Sequence, residues 1–207
     1  IEDGRLYYET IGKAKPRGIC GSGLIDCLSA LITNQYIDSD GKFRSASKSE
    51  RIIERDGEPQ FIIAYSHETE NGKDLTITES DVINIIRSKA AVFAAIKSLI
   101  NYVGFKFDDI HTFYVAGGFG TYLDIPNAIS IGLLPDIDVS KIQFVGNSSL
   151  MGARIGLLSV HALDRAAKIA AGMTNIELST YQPFMDEYVG AMFLPHTDRS
   201  LFPSIKC

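Results

Sequence analysis

Cysteine is scarce in this chain, and that scarcity narrows its chemistry first. Cys20, Cys27 and Cys207 are the only three, and the Cys-x6-Cys spacing of the first two matches neither a zinc knuckle nor an iron–sulfur run. Cys20 and Cys27 therefore read as small buried hydrophobes, and a reducing cytoplasm is the expected location. His67, His111, His161 and His196 are too far apart in sequence for an HxxH or HExxH pattern, so no transition-metal site is expected. No G-x-S-x-G elbow marks a nucleophile. No apolar run reaches membrane-spanning length; the best, Ala90 to Ile100, is broken by Lys97. Nor is there a signal peptide. With a formal net charge of −5 and no segment that gathers Lys and Arg, a nucleic-acid partner is excluded as well. Composition is otherwise that of a soluble globular protein, 45% hydrophobic and 22% charged. Because the chain opens on Ile1 rather than Met, a fragment of a longer protein is expected.

What is present is organised around Phe113-Tyr114-Val115-Ala116-Gly117-Gly118-Phe119-Gly120. The apolar run reads as a buried strand, and the glycines at its end remove side chains that would keep a ligand from the backbone. Such a turn either presents bare amides to an anion, most naturally a nucleotide phosphate, or is a tight turn with no ligand. A second strand-turn-helix unit follows at Ile142 to Val145, then Gly146-Asn147-Ser148-Ser149, then a helix through Met151 to Leu158. Two successive small polar turns at strand ends suggest one shared cleft. Gly152 and Gly156 would let this helix pack closely.

Gly18-Ile19-Cys20-Gly21-Ser22-Gly23 precedes apolar residues at helical spacing, with Ser22 as the candidate N-cap. This third glycine turn is either a helix N-terminus facing a phosphate or a close-packed helix start. Asp38 to Gly41 reads as a turn without the ligands of a calcium loop, Lys48 to Pro59 as an exposed charged excursion, and Phe61 to Tyr65 as a buried strand. Thr78 with Asp81 resembles a capping box opening a helix that runs to Val103 and stops at Gly104. Arg87 and Lys89 on that helix either reach a neighbouring cleft or lie on its solvent face. A helix from Asn127 to Ile131, another from His161 to Ala171, a short strand from Asn175 to Ser179 and an aromatic helix from Tyr181 to Phe193 follow. The segment from Pro195 onward reads as a polar tail.

Taken in order, several phrases resemble the C-terminal part of the reductive activators of corrinoid proteins. They are Gly18 to Asp26, Asp81 through Lys89-Ala90-Ala91, Ala116 to Gly120, Ile131-Gly132-Leu133-Leu134-Pro135, Val145 to Ser149, and Gly152-Ala153. That family belongs to the acetate and sugar kinase, heat-shock chaperone and actin superfamily. The resemblance implies an α/β, ribonuclease-H-like lobe of the actin-type ATPases, a mixed sheet flanked by helices, with ATP and Mg²⁺ as ligands. The implied role is ATP-driven re-reduction of cob(II)alamin, with a corrinoid protein of a methyltransferase system as partner and a homodimer as assembly. Gly117, Gly118 and Gly120 match the superfamily's adenosine motif, and Lys89 lies on the helix that borders adenine in the chaperones. With Phe119, Gly146, Asn147, Ser148, Gly21, Ser22 and Gly23 these form the expected nucleotide-binding set.

The departures from the pattern are equally informative. No Asp-x-Gly-[ST]-x-[ST] phosphate loop and no spaced cysteines of a ferredoxin domain occur, so the iron–sulfur cluster is expected only in a domain outside this chain. The expected organisation is a single lobe, with residues 1–17 as a lead-in, 18–195 as the core and 196–207 as a tail. A function of another class also accommodates the residues: a non-catalytic docking or dimerisation module in which the glycines serve turns and packing. A dinucleotide-binding dehydrogenase does not, because G-x-G-x-x-G spacing is lacking.

Overall fold

The computed structural model describes residues 1, 6–44, 49–118 and 122–205. Phe119 and Gly120 of the expected site lie outside the described residues. The helices that shape the rest are α1 (Gly21–Thr33), α2 (Glu79–Tyr102), α3 (Ile125–Ser130), α4 (Ser148–Leu158), α5 (Val160–Ala171) and α6 (Pro183–Ala191). Strands β1 (Ile52–Arg55), β2 (Glu58–Ala64) and β3 (Leu75–Thr78) form an antiparallel sheet in that order, while β4 (Phe113–Ala116) and β5 (Ile142–Gly146) pair in parallel. Both strand senses of the expected mixed sheet are present, divided between two sheets.

The charged segment before Pro59 is not an excursion but the first arm of a hairpin. Asp56 and Gly57 both take positive φ, 57° and 75°, the conformation that a two-residue turn needs to match the twist of its strands. Ile52, opposite Phe61, turns inward and anchors the arm, while Glu54 and Arg55 stay in solvent. Two isoleucines flanked on both sides by charges, Glu50-Arg51 before and Glu54-Arg55-Asp56 after, hide such a strand from a composition reading.

Helix α2 forms as its sequence dictates. Thr78 Oγ1 accepts the amide of Asp81 at 3.0 Å, and Asp81 Oδ2 accepts the amide of Thr78 at 3.0 Å, closing a capping box. Val82, Ile86, Ala90 and Phe93 recur at helical spacing and are fully buried. Gly104, at φ 76°, follows the helix where the left-handed turn requires a residue without Cβ. Helix α6 packs along α2, and α1 is joined to α3 by the Ser29 hydroxyl, which donates to Asn127 Oδ1 at 2.9 Å.

The C-terminal segment is a strap pinned at two places, 194–196 and Phe202, while 197–200 and 203–204 stay in solvent as their polar composition implies. Leu194 and Phe202 are buried, and His196 is only 4% exposed. The ring of Phe93 lies 5.4 Å from that of His196 and 5.3 Å from that of Phe202. Asp136, far away in sequence, accepts the amide and hydroxyl of Ser204, and Asp198 accepts the amide of Ser200, while the buried Nε2 of His196 has no hydrogen-bond partner among the described residues. Residues 175–179 are likewise not a strand. Glu177 folds its carboxylate back onto the amide and hydroxyl of Ser179, which favours a turn.

By contrast, α4 and α5 contain no buried residue. Leu150, Met151, Leu157, Leu158, Val160 and Ile169 are all at least half exposed, and Tyr114 and Phe144 of the parallel pair are open too. Gly156 does serve close packing, since a Cβ there would sit 2.9 Å from Leu163; Gly152 meets nothing within 4 Å.

Replacing Thr78 with Ala removes one half of the capping box. The expected loss is about 1 kcal/mol of stability, read as a lower urea midpoint with an unchanged slope.

Candidate functional site

The parallel pair brings two of the three glycine turns together. Gly117 at the end of β4 and Gly146 at the end of β5 adopt φ 108° and 65°, and the amide of Gly117 donates to the carbonyl of Gly146 at 2.7 Å. A Cβ added at Gly117, Gly118 or Gly146 would meet nothing within 4 Å, so open space lies in front of both turns. Gly118 has no positive φ, so the backbone conformation does not by itself require glycine there. Directly after Gly146, Asn147 caps α4 through its side-chain oxygen, which accepts the amide of Leu150 at 3.0 Å. The amides of Ser148 and Ser149 in that first turn have no partner within the helix. Free amides, a helix N-terminus and backbone without Cβ suit a phosphate or ribose, so the residues present fit the nucleotide that the resemblance implies.

The third turn is built differently. Helix α1 begins at Gly21, with Cys20 rather than Ser22 at the N-cap and no side-chain cap bond. The Ser22 hydroxyl lies instead 3.4 Å from Cys20 Sγ. Cys20 is exposed, against expectation, and this contact holds its thiol below the ordinary range. Cys27 is the more enclosed thiol of the pair, though only half-buried; desolvation first, then Asp26, pushes it up to about 12. Gly23 is close-packed, its Cβ position lying 3.1 Å from Ile19. Gly21 lines a cavity of about 590 Å³ between α1, β3 and α2, walled by Leu24, Ile77, Ile85 and Leu133 and edged by Asp81, Asn84 and Ser88. A second cavity of about 600 Å³ runs between the lead-in, α1 and β2, past Gly23, Asp26 and Cys27.

Lys89 lines the first cavity too, yet it is neither on the solvent face nor pointed into open water. It is 2% exposed, and its Nζ donates to the carbonyl oxygens of Phe193 and Pro195, the latter at 2.6 Å. Desolvation above all, with the nearby charge of Arg199, pushes its pKa down to about 7. The signal was present in the sequence: Lys89 stands three residues after Ile86 and four before Phe93, on the helix face that those residues bury. Arg87, two positions earlier, is exposed. What no local pattern reveals is that carbonyls more than a hundred residues away receive the amine. Among the described residues, no group of three or more His, Cys, Asp or Glu side chains is placed to hold a metal ion.

Comparison with known proteins decides the family. The family described as the C-terminal domain of RACo, the ASKHA domain, matches residues 2–206. The chain belongs to this family. A solved structure titled reductive activator for corrinoid, iron-sulfur protein superposes on this RACo-type domain with a TM-score of 0.91 at 48% identity, covering 96% of this chain and 32% of that one. The fold is therefore the actin-type α/β lobe. Among curated relatives, the corrinoid activation enzyme RamQ of Eubacterium limosum is 33% identical over 91% of this chain and 33% of its own length. The [Co(II) methylated amine-specific corrinoid protein] reductase of Methanosarcina barkeri is 32% identical over 83% of this chain and 28% of its own. This RACo-type domain thus spans about a third of the proteins it matches. No helix among the described residues is long and apolar enough to cross a membrane.

The buried amine makes stability depend on pH in a definite direction. Between about pH 7 and its ordinary 10.5, Lys89 binds fewer protons in the folded chain than in the unfolded one, so stability rises with pH through that window. Above pH 9 the retained proton of Cys27 opposes the gain. His196, lowered mainly by desolvation, adds a rise on the acid side of 6.5. Urea unfolding at pH 7, 8 and 9 should show stability climbing by up to about 1.4 kcal/mol per unit. Lys89→Met should flatten the climb.

Proposed function

We propose that this chain is the nucleotide-binding part of an ATP-dependent reductive activator that re-reduces cob(II)alamin in a corrinoid methyl-carrier protein. The observation that carries the reading is the Gly117–Gly146 junction: two glycine turns bonded to each other at the open end of a parallel strand pair, beside a helix N-terminus. The names of the relatives, each a corrinoid activator or corrinoid-protein reductase, support the same role.

When bound, ATP with Mg²⁺ supplies the free energy that drives an electron uphill to cobalt. This chain's own part is to bind and orient. Gly118 admits the nucleotide to the backbone, the amides of Ser148 and Ser149 face its negative charge, and Asn147 fixes the direction of α4. Differential affinity for ATP and ADP then selects between conformations, and the corrinoid partner responds to that selection. Electron transfer itself belongs to an iron–sulfur domain outside this chain.

The open apolar face of α4 and α5 favours a second reading, a docking module that binds a partner and no nucleotide. Titration calorimetry with ATP and ADP in the presence of Mg²⁺ separates the two. Saturable binding is expected, and Gly118→Val should abolish it, leaving the circular dichroism spectrum unchanged, because a Cβ there meets nothing within 4 Å among the described residues. Retained affinity in the folded variant would sink the assigned site, and an absence of binding in the full-length protein would favour the docking module.

A further inference from the structure

Contacts from four separate parts of the chain converge on the strap between Phe193 and Asp198. Lys89 of α2 donates to the carbonyls of Phe193 and Pro195. The amide of Leu194 donates to the carbonyl of Ser39, after α1, at 2.9 Å, and the amide of Thr197 to that of Gly190, in α6, at 2.9 Å. Gly132, after α3, approaches so closely that a Cβ there would stand 2.1 Å from the carbonyl oxygen of Pro195. That oxygen is the one Lys89 holds. Lys89 also lines the cavity between α1 and α2, together with Ile131 and Leu133 on either side of Gly132.

We infer that Lys89 is a positioning residue, an internal tether that fixes the C-terminal strap beneath the floor of the cavity between α1 and α2. The chemistry suits a tether better than a ligand contact. A neutral amine carries two N–H donors, and two carbonyls receive them; an ammonium would leave a third donor over. No ion-pair partner of Lys89 occurs among the described residues. The charge that reaches it is that of Arg199, while His196 on the strap is reached by Lys97, Lys89, Glu187 and Asp198. The inference rests on the nucleotide reading only in its choice of probe.

Hydrogen exchange of the full-length protein, followed at the amides of Leu194, Thr197 and Asp198 with and without ATP, tests it. Lys89→Met should speed exchange there about tenfold, the effect of losing roughly one net hydrogen bond. Gly132→Ala, which displaces the Pro195 carbonyl from the other side, should speed the same amides and move the Lys89 titration, followed by NMR, toward 10.5. Exchange within twofold of wild type in both folded variants overturns the tether. A Lys89→Met protein that loses nucleotide while its strap is unchanged overturns it as well, since Lys89 is then a ligand contact. If the wild type binds no ATP, the nucleotide reading fails, and exchange without ligand still decides the tether.

Discussion

A lysine buried without a carboxylate is a constraint that much of this lobe is arranged to satisfy. Taking an amine out of water is unfavourable unless its donors are received, and here the receivers are carbonyls of a segment at the far end of the chain. Holding them in place involves the inward turn of Leu194 and Phe202, the mutual contact of the Phe93, His196 and Phe202 rings, and a residue without Cβ at position 132. The pairing of α6 with α2 delivers the strap to that position. Local helix rules thus set the amine's direction, and long-range packing sets its partners.

The glycine turns follow another logic. At Gly117 and Gly146 the absence of Cβ permits a backbone conformation, whereas at Gly118 it leaves room. Since the Gly117 amide is already given to Gly146, the donors left for an anion lie at Gly118 and in the first turn of α4. Rigid backbone groups of this kind lose little entropy when a ligand arrives, which would suit the nucleotide proposed for this junction.

Elements with complete local instructions were legible in the sequence. Thr78 and Asp81 announce α2 and Gly104 ends it; Phe61 to Tyr65 marks the central antiparallel strand; the glycine runs mark both turns of the parallel pair. The misreadings share a cause, namely polar residues whose burial or pairing is decided elsewhere. Asp56-Gly57 is a hairpin signal that the surrounding charges concealed, and Glu177 competes with strand geometry through its own side chain. His196 looks like tail chemistry until Phe93 is known to lie against it. Ser22 lost the capping position because α1 begins one residue before it. Of the candidate site, the pairing of Gly117 with Gly146 could be anticipated from two consecutive strand-turn-helix units, but the separate placement of Gly21 and Lys89 around their own cavity could not.

The bare face of α4 and α5 bears on how the lobe would behave in isolation. Leucine and valine side chains at positions 157, 158 and 160, standing in water on two helices joined at Ser159, would find one another between molecules whatever the native assembly is. Dimers or larger particles formed by the lobe by itself would then report the stickiness of an uncovered surface rather than a native stoichiometry.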